Sequence, residues 1–137
     1  MSISVVQMQG KVLVTVVSLE GRLDGQNYQE LIDKGQELYK AGTRDVLLDL
    51  SNLSYISSAG LVAFHNLALM LRGETPPSPE QGWNAYRSMG HSTAESGTQK
   101  HIKIFNPQAD VLRVIDMVGF NTIFEIFTDM DKAVNSF

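Results

Sequence analysis

Two adjacent hydroxyl side chains, Ser57 and Ser58, stand where an apolar run gives way to a helical pattern, in Leu47-Leu48-Asp49-Leu50-Ser51-Asn52-Leu53-Ser54-Tyr55-Ile56-Ser57-Ser58-Ala59-Gly60-Leu61-Val62-Ala63-Phe64. The opening turn of a helix collects backbone N–H groups without intrahelical partners and a partial positive charge, so a hydroxyl there can become an anion without disrupting the element. Phosphorylation adds roughly −1.5 to −2 charges and three strong acceptors. Ser58 is therefore a candidate phosphoacceptor, with Ser57 and Ser54 as alternatives. The plainer reading has Ser57 capping the helix and Ser58 merely occupying its exposed first turn, as serines often do. Spacing alone leaves both open.

Other chemistry finds little support. A serine nucleophile needs a base within hydrogen-bond reach, yet His65 lies seven residues along the same helix, about 10 Å away on the axis. No Gly-x-Ser-x-Gly elbow is present, and His91 and His101 would approach only through the segment at about 73–100. Asp49, near the end of a strand, invites comparison with a phosphoaccepting aspartate, but the acidic pair needed to hold a metal is missing. A phosphate cradle at 57–60 lacks the glycine-rich loop and its lysine. The three histidines are scattered and read as surface residues, so neither a metal site nor a cofactor is expected, and the chain reads as a non-enzyme. Asp49 is then either a contact near the phosphoacceptor or an acid that hydrogen-bonds loop N–H groups. Gly60 is expected to let the helix start approach neighbouring backbone closely.

The bulk composition narrows the setting. A length of 137 residues with 43% hydrophobic and 19% charged residues suits one packed domain spanning 1–137. A net charge of −4 gives no broad positive field for nucleic acid or anionic lipid. The absence of cysteine removes disulfides and thiol chemistry, the start Met-Ser-Ile-Ser-Val-Val lacks a signal-peptide pattern, and no apolar run approaches a membrane span. A cytoplasmic protein without membrane insertion is expected.

Periodicity places the elements around the serines. Strands over 3–8 and 11–19 flank Gln9-Gly10 as a hairpin, the second ending at Glu20-Gly21. Asp24 offers an N-cap to a helix burying Tyr28, Leu31, Ile32, Leu38 and Tyr39, which stops at Ala41-Gly42. Residues 46–50 read as a strand covered on both faces. A helix over about 58–72 follows, with Leu61, Phe64, Ala68 and Leu71 on one buried stripe. After a strand at 102–105, Pro107 suits the first turn of a helix with Val111, Leu112, Ile115 and Val118 inward, and Gly119 stops it. A short strand at 123–127 and a terminal helix follow, the helix capped by Thr128 with Asp131 and burying Ala133, Val134 and Phe137. The order β-β-α-β-α-β-α-β-α predicts an α/β fold: a mixed, mostly parallel sheet with one antiparallel N-terminal strand and about four helices. Residues 73–100, with Pro76, Pro77, Pro79 and little periodicity, read as a mobile insertion in which Trp83 and Tyr86 alone offer apolar anchors.

Three segments resemble the STAS domains, in particular the bacterial anti-sigma-factor antagonists. Gly21-Arg22-Leu23-Asp24 resembles the family's Gly-x-Leu-Asp. Asp49 through Leu61 is similar to its signature Asp-Leu-Ser-x-Leu/Val-x-Phe/Tyr-Ile/Met-Asp-Ser-Ser/Ala-Gly-Leu, with Ser57 in place of the acid. Phe105-Asn106-Pro107 through Val111-Leu112, Met117, Gly119-Phe120 and Phe127 resembles its last third. The resemblance implies phosphorylation of Ser58 by a partner serine kinase that is itself an anti-sigma factor, and reversal by a serine phosphatase. It implies a partner-binding surface at Asp24, Ser57, Ser58, Ala59, Gly60 and Leu61, which acts on transcription indirectly. The alternative is a constitutive STAS interaction scaffold in a signalling or lipid-transport complex that uses the same surface without phosphorylation. A weak homodimer is a further expectation.

Overall fold

The computed structural model describes residues 1–74 and 98–137. Most of the expected insertion, with Trp83, Tyr86 and His91, lies outside the described residues. Among those described, the order is β1 (Ser2–Gln9), β2 (Leu13–Leu23), α1 (Tyr28–Lys40), β3 (Val46–Ile56), α2 (Ser58–Leu71), β4 (Ile102–Phe105), α3 (Ala109–Met117), a 3-10 turn (Phe120–Thr122), β5 (Ile126–Phe127) and α4 (Met130–Asn135). The five strands form one sheet in sequence order, with β1–β2 antiparallel and the other pairs parallel. The predicted α/β class, mixed sheet and helix complement are as observed.

Topology explains the layers. Right-handed crossovers between strands that advance in one direction set every crossover helix on the same face of the sheet. Accordingly Leu31 and Ile32 of α1, Phe64 and Leu67 of α2 and Val111 and Ile115 of α3 share a core with Val17, Leu19, Val46, Leu48, Ile102 and Ile104. Strand alternation sends Val14, Val16 and Leu47 to the opposite face, where Ala133 and Val134 of α4 meet them. Among the described residues that second layer is one six-residue helix, and it leaves most of β1 uncovered.

Several sequence expectations shift. β2 runs on to Leu23 because β3 runs on to Ile56, and the pairs Arg22↔Tyr55 and Leu23↔Ile56 continue the ladder past a register irregularity. α2 is buried almost all round, from Gly60 to Leu69 and at Leu71, since it lies between the sheet, α1 and Phe120; a single stripe was too narrow an expectation. His65 belongs to that core at 1% exposure and is not a surface residue. Pro107 precedes α3, whose N-cap is Gln108, and Val118 is exposed. The Phe124 N–H bonds back to the Phe120 carbonyl at 2.8 Å, so the last strand begins only at Ile126. Asp129, not Thr128, caps α4 by accepting the Lys132 N–H at 3.0 Å.

Candidate functional site

The carboxyl ends of the parallel strands gather the candidate residues, as open α/β sheets commonly do with functional groups. Ser58 is the first residue of the fourteen-residue α2 and is exposed. The first turn of that helix carries no acidic side chain. An added anion at Ser58 would therefore meet the helix's positive end without a competing carboxylate on the same turn.

Ser57 holds the N-cap position with extended backbone, φ −99° and ψ 175°, but makes no capping bond. Its backbone is engaged: the N–H donates to the Leu23 carbonyl at 2.9 Å, and its carbonyl accepts the Leu61 N–H at 3.2 Å. Its hydroxyl oxygen is buried and has no hydrogen-bond partner among the described residues. The expected Ser57 cap is thus present in position and absent in chemistry, because the oxygen is shut away instead of lying over the first-turn N–H groups.

Ser54 is exposed, and its hydroxyl donates to the Gly21 carbonyl at 2.9 Å, tying β3 to β2. Asp24 does not cap α1. Its Oδ1 accepts the Gln26 N–H at 3.0 Å in a local turn, and Asn27 takes the N-cap position, accepting the Asp24 N–H at 2.9 Å and donating to the Arg22 carbonyl at 2.8 Å. The Leu23–Ser57 bond brings the Asp24 turn and the Ser58 turn to the same end of the sheet. Gly60 and Leu61 are buried, so the outward part of the expected binding set is Ser58 with half-buried Asp24, Ser57 and Ala59. A Cβ on Gly60 would lie 2.7 Å from Cγ1 of Ile56 and 2.9 Å from Cγ of Leu23; the close neighbours are side chains, not the backbone expected.

Asp49 serves the strand. Its Oδ1 accepts the Ser51 N–H at 3.0 Å and the Ser51 hydroxyl at 2.6 Å, while Oδ2 accepts the Ser18 hydroxyl at 3.0 Å. Asn106, with φ 51°, donates to the Ser51 oxygen at 3.2 Å, and Gln108 donates to the Ser51 carbonyl at 2.8 Å. The network pins the start of α3 against the middle of β3. Asp49 accepts a backbone N–H as the second of its two readings expected, but Ser51 lies within β3 and not in a loop, because β3 runs on to Ile56.

Sequence reasoning missed one pair beside the site. The Arg22 guanidinium lies 4.2 Å from the centroid of the Tyr55 ring, which is 39% exposed. Only the β2–β3 register brings these two together.

No helix among the described residues is long and apolar enough to cross a membrane. The fold is similar to that of an anti-sigma factor antagonist from Mycobacterium paratuberculosis, at 16% identity and a TM-score of 0.63, over 98% of this chain and 93% of that one. It is similar to the anti-sigma factor antagonist SpoIIAA in its unphosphorylated form, at 15% identity and a TM-score of 0.59, over 98% and 94% of the two chains. It is also similar to the Bacillus cell fate determinant SpoIIAA in the phosphorylated form, at 15% and 0.54, over 98% and 97%. At these identities the likeness is one of fold. No curated protein sequence matches the chain. The sequence model of the family described as "Mlab, STAS domain" matches residues 6–76, which run from β1 past the end of α2 and take in Ser57 and Ser58. That match spans more than half of the 137 residues, and the chain belongs to the STAS-domain family.

Proposed function

We propose that this chain is a non-enzymatic partner-switching module of the anti-sigma-factor antagonist type, one domain over 1–137 with an insertion at about 73–100. In this reading its unmodified form docks on a serine-kinase anti-sigma factor in the cytoplasm, phosphorylation of Ser58 ends docking, and a serine phosphatase restores it. Transcription is then regulated indirectly. The observation that carries the reading is the placement of Ser58: exposed, at the positive end of a long buried helix, with no acid in the same turn.

A phosphate there is tolerated by the scaffold and rejected by a docked surface. The helix N-terminus favours the anion. A partner packed on a neutral hydroxyl would instead have to desolvate a charge, at on the order of 2–5 kcal/mol, or tens to thousands-fold in affinity. Incubation with a cognate serine kinase and ATP, followed by mass spectrometry, tests this. Phosphate on Ser58 and its loss in Ser58→Ala are expected, whereas label elsewhere overturns the assignment.

A second reading, a constitutive STAS scaffold in a signalling or lipid-transport complex, is favoured by Ser57 standing where the signature has an acid. It expects equal docking by Ser58→Ala and Ser58→Asp, whereas the switch expects binding by the first and at least about tenfold weaker binding by the second.

A further inference from the structure

Among the described residues, one edge of the sheet lacks every usual protection. Of the described strands, only β2 is hydrogen-bonded to β1, on one side. Its pairing is unbroken from Ser2↔Glu20 to Gln9↔Leu13, and Ser2–Gln9 contains no charge and no proline. Edges of this length are normally blunted by lysine, proline, a bulge or a covering element, because their free N–H and C=O groups template further pairing. In the middle of β1, Val5 and Val6 are 38% and 56% exposed and point to opposite faces. The far edge is different: β5 is only two residues long.

We propose that β1 pairs antiparallel with β1 of a second copy of this chain, about a two-fold axis normal to the sheet, to make a continuous ten-stranded sheet. This inference does not depend on phosphorylation of Ser58. Three features select a second copy as the occupant. The strand is uncharged, so self-pairing opposes no like charges, and nothing in it selects a charged partner strand. Such an axis keeps each face of the sheet continuous, and directly opposed residues share a face, so the paired residue numbers must sum to an even number. A sum of 12 sets Val6 opposite its own counterpart, Val5 opposite Gln7 and Ser4 opposite Met8, covering the more exposed valine with itself. Finally, isologous pairing uses up the β1 edge, and two-residue β5 offers no template for growth, so assembly closes at two.

The geometry leaves the candidate site open. β1 runs antiparallel to β2, with Ser2 beside Glu20 at the end of the sheet that carries Ser58. Inverting the second copy puts the two Ser58 turns at opposite ends of the ten-stranded sheet. The dimer would therefore present two docking sites facing away from each other. A strand edge buries less than the ~800 Å² per partner of a standard interface, so the association is weak and concentration-dependent.

The chain has no cysteine, which makes the test clean. Sedimentation equilibrium from about 1 μM to about 1 mM, the range of weak association, should show the 15.2 kDa monomer passing to twice that mass. Val6→Lys at this exposed position should keep the native melting temperature and weaken association at least about tenfold. Under mild oxidation Val6→Cys should give a covalent dimer, because opposed Cβ atoms lie within disulfide reach, while Gln9→Cys should not, its counterpart lying several residues along the strand. A protein that stays monomeric at the highest concentration, or a dimer indifferent to Val6→Lys, overturns the proposal. So does equal cross-linking of the Val6→Cys and Gln9→Cys variants.

Discussion

The backbone N–H of Ser57 donates to the Leu23 carbonyl at 2.9 Å, and this bond joins the end of β2 to the start of α2. The same Leu23 supplies the side chain beneath Gly60, with its Cγ 2.9 Å from where a Cβ would stand. One residue therefore fixes the turn that carries Ser58 twice, through its backbone and through its packing.

Ser57→Ala should not behave like the loss of an N-cap. Removing a capping serine costs about 1 kcal/mol, but the Ser57 oxygen is buried with no partner among the described residues, and burial of such a group is itself unfavourable. Urea unfolding should show a change within about 0.5 kcal/mol or a gain in stability. A loss of a full cap's worth would mean that the hydroxyl turns over the helix N-terminus in solution.

Gly60→Ala should destabilise despite alanine's better helix propensity. The added methyl meets Ile56 and Leu23, which are 2% and 0% exposed and have no room to give. Overpacking of about 1–3 kcal/mol outweighs the ~1 kcal/mol gained in propensity. A lower denaturation midpoint, together with chemical-shift changes concentrated at residues 56–61, is the expected result.

His65 should make stability fall in acid. It packs edge-on against Phe120 at a centroid distance of 4.3 Å, and burial lowers its pKa from 6.5 to about 4. Between those values the unfolded chain binds the proton and the folded chain does not, so stability rises with pH across that window and levels off above 6.5. The contribution is about 3 kcal/mol at most. Comparing the unfolding free energy of the native protein and His65→Gln from pH 4 to 7.5 should give a shallower slope in the variant between pH 4 and 6.5.

Lys103→Ala should loosen the C-terminal helix. Lys103 is 4% exposed, its Nζ donates to the carbonyl and hydroxyl of Ser136 at 3.0 Å each, and it lies 4.9 Å from the Phe137 ring centroid. Losing charged hydrogen bonds at a buried position costs about 2–3 kcal/mol. Hydrogen exchange should accelerate first in 130–136, ahead of β3.

The element order was legible because it rests on local chemistry. Val- and Ile-rich runs, the αL stop at Gly119 with φ 80° and the start of α2 at Ser58 need only neighbours in sequence. Boundaries failed where a distant partner decided them. Gly21 read as the end of β2, yet β3 carries the pairing on to Leu23. Thr128 and Asp131 had the right spacing for a cap, but the chain direction leaving β5 put Asp129 there.

The serine pair was equally legible as a pair, but the different fates of its two members were not. A strand-to-helix junction rich in hydroxyls follows from residue order alone, and so did Ser58 as the candidate. That Ser57 buries its oxygen while Ser58 faces solvent, that His65 sits in the core, and that Arg22 meets Tyr55 all depend on register and on which sides of α2 are covered. The amino-acid order determined the elements, their handed crossovers and the serine's place at a helix start, because these follow from backbone sterics and short-range hydrogen bonding. Exposure, unpaired atoms and the bare β1 edge were decided only when distant segments packed, because burial is set by what arrives from elsewhere in the chain.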